Sequence, residues 1–280
     1  MKHNFLKFVA AFAMTLPVPA LAQDLRVMTF NVRYPNPDDG ANIWENRRDI
    51  FTETVRKANP DIVGTQELFQ TQANDIVRAL PKYRWFGRDR FGGHANEHMG
   101  IFYRADRLSL IMHGDFWLSE TPEVPGSMAW GATLPRMVNW GIFGTRGRKP
   151  YRFLMIDTHF ANRDDEDEEA RRRSADLITA SLPKLARGLP IVLTGDFNAT
   201  PDSEAHRRLG VALTDVWETS LKKAGPSGTF HDFTGHPDTM IDYIMVHGFI
   251  PIKAEIMTTH SGQHYPSDHF PIFAVLRRGK

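Results

Sequence analysis

Residues 190–198 read PIVLTGDFN, and this stretch decides the fold. A short apolar run stopped by Gly, Asp and Asn is a buried strand opening into a polar loop. The same grammar recurs along the chain: VMTFN at 27–31, DIVGTQE at 61–67, FLMIDTH at 153–159, MIDYI at 240–244 and YPSDHFP at 265–271. Each puts polar groups at or just past an apolar strand: Asn31, Glu67, His159, Asp196 with Asn198, Asp242, and Asp268 with His269. Any one of them alone reads as a turn former, a cap or a satisfied core polar group. Together they point to one site, because strand ends in a layered sheet converge in space, where ligands bind.

Working outward, further strands are predicted at 83–90, 98–104, 108–118, 136–144 and 251–258. Helices are predicted at Trp44 to Ala58 (stopped by Asn59-Pro60), at Phe69 to Leu80, at about 165–187 and near 203–209. The third carries acids first, from Asp164 to Glu169, and bases next, from Arg171 to Arg173, the order that the helix dipole favours. Strands outnumber helices and come in two stretches, each with helices attached. This is an α+β pattern of two stacked sheets with helices outside.

The 280-residue chain has 34 Lys+Arg against 33 Asp+Glu, with 41% hydrophobic and 24% charged residues. That excludes wholesale disorder and a polytopic membrane protein. It also argues against gripping nucleic acid through a large basic field. There is no cysteine, hence no disulfide framework, thiolate nucleophile or Cys-based zinc site. Residues 1–22 carry Lys2 and Lys7, a short apolar run from Phe8 to Leu16, and Ala20-Leu21-Ala22 at a small-x-small boundary. They are expected to be a cleaved signal peptide, which leaves a catalytic domain at 23–280 that is periplasmic or secreted. No later apolar run is long enough to span a bilayer, and the protein is expected to be a monomer.

Glu, Asp and Asn oxygens are hard ligands suited to Mg²⁺ or Mn²⁺, and two histidines could act as acid, base or electrophile. P-loop, GxSxG and HExxH motifs are absent. Carboxylates, amides and His without a thiol fit metal-assisted attack of water on a phosphoester.

Six motifs, TFN (29–31), QE (66–67), TH (158–159), GDFN (195–198), IDYI (241–244) and SDH (267–269), stand in the order found in the endonuclease/exonuclease/phosphatase superfamily, which the chain resembles over its expected mature length. Within it, MTFNVRYPNPDDGANIWENRR, FWLSETPEVPGS, GDFNATPDSE and YPSDHFP are similar to a bacterial exported subgroup. The resemblance implies a four-layer α/β/β/α sandwich with two packed mixed sheets, and a divalent-metal phosphohydrolase. It makes Glu67 the principal metal carboxylate, with Asn31 beside it and Asp268 a second acid near the metal. His269 would act on the scissile phosphate, oriented by Asp242. Asp196 would position or deprotonate the water, Asn198 would contact a phosphate oxygen, and His159 would be the second histidine, with Glu97 its acidic partner. The expected substrate is a small or lipid-linked phosphodiester. A secreted nuclease of the same chemistry is the second reading, and a binding module that has lost turnover is the third.

Arg136, at a strand start, could fork onto phosphate or make a surface salt bridge. Subgroup members often carry Asn before the TH motif and Asp-His shortly after it. Here the stretch is Asp157-Thr158-His159-Phe160-Ala161-Asn162, which alters the pocket wall but keeps His159. The run Asp164 to Glu169 lacks the Gly and spacing of a calcium loop and reads as a solvated helix start. Trp117, Trp130 and Trp140 read as core or as an aromatic platform. His231, His260 and His264 fall in expected C-terminal loops.

Overall fold

The computed structural model describes residues 24–279, so the expected signal peptide lies outside the described residues. The chain begins with β1 (Leu25–Asn31), α1 (Trp44–Ala58), β2 (Ile62–Leu68), α2 (Gln70–Ala79), β3 (Tyr83–Phe86), β4 (His98–Arg104) and β5 (Leu108–Trp117). It continues with β6 (Met137–Thr145), β7 (Arg152–His159), α3 (Glu168–Ala186), β8 (Ile191–Asp196), α4 (Glu204–Gly210), β9 (Thr214–Asp215) and α5 (Val216–Thr219). It ends with β10 (Lys222–Ala224), β11 (Asp242–His247), β12 (Phe249–Ile256) and β13 (Ile272–Arg278). A seven-stranded sheet has the order β10-β12-β13-β1-β2-β4-β3, and a six-stranded sheet has the order β5-β6-β7-β8-β11-β9. Both sheets mix parallel and antiparallel pairs, giving the expected α/β/β/α sandwich.

The alternation within LRVMTFN shows how the layers are built. Leu25 and Val27 pack between the sheets, while Met28 and Phe30 pack under the helices. On that outer face Phe51 and Val55 of α1 and Ala73 and Ile76 of α2 complete the cluster. Ile178 and Leu182 of α3, with Leu209 of α4, lie over the other sheet. The period-two pattern therefore turns Thr29 and Asn31 toward the facing sheet. Gly64 marks a close approach of the two sheets. A Cβ there would stand 2.0 Å from Thr194 Oγ1 and 2.3 Å from Asp157 Oδ1, so a side chain would force the sheets apart.

Register brings the polar strand ends together. His159 lies opposite Asp196 across the parallel β7–β8 pair, and Asp242, which begins antiparallel β11, lies opposite Asp196 on its other side. Asn31 pairs with Gln66 across parallel β1–β2, and β13 begins beside the end of β1, at Thr29 opposite Ile272. The loop before β13 thus delivers Asp268 and His269 to the same end.

The structure adds what the sequence reading lacked: the short β9, β10 and α5. The strand predicted at 83–90 stops at Phe86, and the loop beyond it is organised by Asp89, whose carboxylate accepts from the backbone of Phe91, Gly93, Ala95 and Asn96.

Candidate active site

Two of the polar residues sit in backbone that L side chains seldom adopt. Glu67 has φ 59° and Asn198 has φ 45°. At Glu67 the β2–β4 register is broken between Thr65 and Leu68. The bulge lifts its carboxylate to the sheet edge, where Oε1 accepts from Asn31 Nδ2 at 3.1 Å and Oε2 from the Tyr34 backbone at 3.1 Å. Asn31 Nδ2 also donates to Asp196 Oδ2 at 3.0 Å, so one amide ties the two sheets together at the site.

Asp196 is the centre. The ligand atoms of Glu67, His159 and Asp196 lie within 4.8 Å of one another, as do those of Asp196, Asp242 and His269. Burial, reinforced by the charge of Asp242, pushes the Asp196 carboxyl up to about 7. Asp268 is also raised, by burial and by the charge of Glu67, and its Oδ1 accepts from Ser267 Oγ at 3.0 Å. The crowded carboxyls of Asp196 and Asp268, whose acid forms are favoured by burial and by neighbouring carboxylates, fit a hard divalent cation. Of the residues expected to hold it, Glu67 belongs to a group whose ligand atoms could meet on one ion, whereas Asp268 stands in neither group.

His269 Nδ1 meets Asp242 Oδ2 at 2.8 Å. Burial works against its charged form, but the charge and hydrogen bond of Asp242, joined by Asp196 and Asp268, outweigh that and hold its proton affinity well above the usual value. His159 Nε2 stands 3.5 Å from Asp196 Oδ2, while its Nδ1 has no hydrogen-bond partner. Burial, with Arg136 and Arg90 nearby, holds His159 well below the usual value, as the neutral base.

Two expected roles come out differently. Glu97 makes its ion pair with buried Arg90, not with His159. Arg136 is neither a surface group nor part of the cavity wall: it is 5% exposed, and its Nη2 donates to Asn162 Oδ1 at 2.9 Å. Asn162 does line the cavity, and so does Arg33, which the sequence reading left without a role. Arg33 Nη1 stands 3.6 Å from Asp268 Oδ2, and Asp39 holds its other edge. A cation two residues after TFN was the available signal.

The cavity has a volume of about 840 Å³. His159, Asp196, Asn198 and His269 form its inner end, and Asp164, Asp165, Glu168, Asp202, Asp232 and Asp238 stand along its wall. The acidic run is thus divided. Asp167 is buried against Arg163, Glu169 pairs with Arg172 and Arg173, Glu166 is exposed away from the cavity lining, and Asp164, Asp165 and Glu168 line the cavity. None of the three tryptophans lines it, and Trp117 is core. His231 is buried against Phe270, whereas His260 and His264 are exposed.

The profile of the Endonuclease/Exonuclease/phosphatase family matches residues 28–269. An endonuclease/exonuclease/phosphatase family protein from Bacteroides thetaiotaomicron superposes with a TM-score of 0.86 at 33% identity, covering 92% of this chain and 99% of that one. The mannosyl-6-phosphatase of Bacteroides thetaiotaomicron VPI-5482 superposes with a TM-score of 0.84 at 34% identity, covering 90% and 99%. A protein of Acanthamoeba polyphaga mimivirus is 29% identical over 257 residues, 83% of this chain and 92% of that one.

Proposed function

The chain belongs to the endonuclease/exonuclease/phosphatase family and is a metal-dependent phosphoric ester hydrolase, and from that premise we propose that it removes phosphate from a small phosphorylated sugar. The observation that carries the reading is the acidic wall from Asp164 round to Asp238. Carboxylates accept hydrogen bonds from hydroxyls and repel a polyanionic backbone, so the wall suits a polyol and opposes a nucleic-acid strand. The likeness to a mannosyl-6-phosphatase supports a monoester over the diester that the sequence favoured. The amino-terminal pattern of residues 1–22 supports an exported enzyme. Among the described residues no helix is long and apolar enough to cross a membrane.

A divalent cation, when bound, neutralises charge on the phosphoryl oxygens. Glu67 and Asp268, with Asn31 beside them, would hold it. The protein's own groups do the rest. Asp196, raised to about 7, is matched to accept a proton from water near neutral pH. Protonated His269, fixed by Asp242, donates to the phosphoryl group as negative charge develops. Asn198 spends one amide hydrogen on Phe160 O at 3.2 Å and keeps the other for a phosphoryl oxygen.

Hydrolysis of mannose 6-phosphate, p-nitrophenyl phosphate and bis-p-nitrophenyl phosphate, with Mg²⁺, Mn²⁺ or EDTA, tests the reading. Monoester turnover that EDTA abolishes and Glu67→Ala lowers by about a thousandfold or more is expected. Turnover of the diester alone, or degradation of plasmid DNA at physiological salt, would replace the sugar phosphate with the corresponding substrate class.

A further inference from the structure

Arg136 is a buried guanidinium with little to hold. Its Nη2 donates to Asn162 Oδ1 at 2.9 Å, while its Nε and Nη1 are buried without a partner. Burial pushes it down to about 10, with Arg90 adding to the fall. Unpaired buried donors on a cation are costly, so the one bond that Arg136 makes deserves a function.

That bond fixes which way Asn162 points. A guanidinium has only donors, so the amide atom facing it must be the oxygen. The amide nitrogen, with both hydrogens, is then turned away from Arg136. Asn162 lines the catalytic cavity and is exposed, whereas His159 and Asp196 are buried at its inner end. The loop carrying it is tied down on both sides. Arg171 Nη1 donates to Ala161 O at 3.1 Å and to Arg163 O at 3.2 Å, and Asp167 Oδ2 accepts from the Arg163 backbone at 2.8 Å.

We propose that Asn162 is a specificity residue of this enzyme, donating its amide hydrogens to a hydroxyl oxygen of the sugar leaving group, with Arg136 as the positioning residue that aims it. The inference rests on the sugar-phosphate reading above. Asn162 is exposed where the reacting centre is buried, on the side where the alcohol portion of a substrate would emerge. The wall carboxylates Asp164, Asp165 and Glu168 beside it in sequence offer acceptors, while Arg171 spends donors on the backbone of Ala161, Arg163 and Asp164. A pyranose hydroxyl needs both kinds of partner, since it donates one hydrogen and accepts with two lone pairs. The wall carboxylates take the hydrogens, and Asn162 supplies a donor.

The test compares mannose 6-phosphate with p-nitrophenyl phosphate, whose leaving group carries no hydroxyl array, at saturating Mg²⁺. The readout is the ratio of the two kcat/KM values. In Asn162→Asp the carboxylate can still accept from Arg136 but no donor remains, so the ratio should fall about tenfold, through KM for the sugar. Asn162→Ala should match it. Arg136→Met should lower the ratio in the same direction, and Arg136→Lys should restore part of it. Asn162→Asp keeps the acceptor for Arg136 at an exposed position, so it serves as the test even where Asn162→Ala or Arg136→Met loses stability in thermal scans. Equal losses on both esters in Asn162→Asp and Asn162→Ala would make the residue structural and overturn the inference, as would an unchanged ratio. A wild type that turns over only the aryl ester would overturn the sugar-phosphate reading, and this inference with it.

Discussion

His159 and His269 approach the same oxygen of Asp196, at 3.5 and 3.8 Å, and both are shut away from solvent. Their surroundings then part. Behind His269 stands Asp242, at 2.8 Å from its Nδ1. Behind His159 no acceptor meets Nδ1, and the charges that lower it are those of Arg136, Arg90 and His269. One imidazole is held protonated and the other neutral, although burial opposes the charge on both. The difference lies in the sign of the neighbouring charge. A cavity that keeps one cationic and one neutral imidazole has a fixed proton donor on one side and a neutral hydrogen-bonding group on the other, with the prospective base between them.

The largest expected effect comes from erasing the contrast at its source. Asp242→Asn leaves the shape intact but removes the charge that holds the His269 proton. Turnover should fall about a hundred- to ten-thousandfold, and the imidazole should titrate far lower by NMR. The stability profile carries the same signature. The folded pKa of His269 is raised, so its contribution is complete below the unfolded value of about 6.5 and is lost as pH rises through the folded value. Thermal scans from pH 5 to 9 in EDTA should show that decline in the wild type and a shallower one in Asp242→Asn. Equal slopes would break the comparison.

The opposite change is smaller. Arg136→Met removes positive charge beside His159, and the imidazole should titrate closer to its ordinary value. NMR titration checks it: an unmoved His159 would remove Arg136 from the causes and leave burial with the charges of Arg90 and His269. The smallest effect involves a third buried group. Asp157 Oδ1 accepts from Thr194 Oγ1 at 2.6 Å and Gln66 Nε2 at 2.7 Å, but Oδ2 has no partner. Burial raises its pKa well above the ordinary value. Its contribution therefore falls as pH climbs from the unfolded value toward the folded one. Asp157→Asn should gain on the wild type over that climb in chemical denaturation at pH 5 and pH 8. A constant difference would assign Asp157 to packing alone.

Much of this arrangement was legible as a list of residues and little of it as a list of partners. PIVLTGDFN announces a buried strand and its polar end because both faces of β8 are covered, so its apolar run is unbroken. The exposed Lys222–Ala224 strand carries no such mark; it pairs with β12 through backbone alone. Glu97 was visible as an acid beside a strand, but its preference for Arg90 depends on how the loop around Asp89 folds back. Asn162 was visible only as a departure from a motif. Its importance comes from Arg136, which is 26 residues away in sequence.

The groups proposed to do the chemistry are divided between the two sheets: Asn31 and Glu67 end strands of one, while His159, Asp196 and Asp242 belong to the other. The packing between them, close at Gly64, therefore works as a calliper whose jaws carry the chemistry. A core substitution that slid one sheet over the other by a fraction of an ångström could leave a folded, soluble protein with its tools out of gauge. Loss of activity in this molecule need not begin anywhere near its cavity.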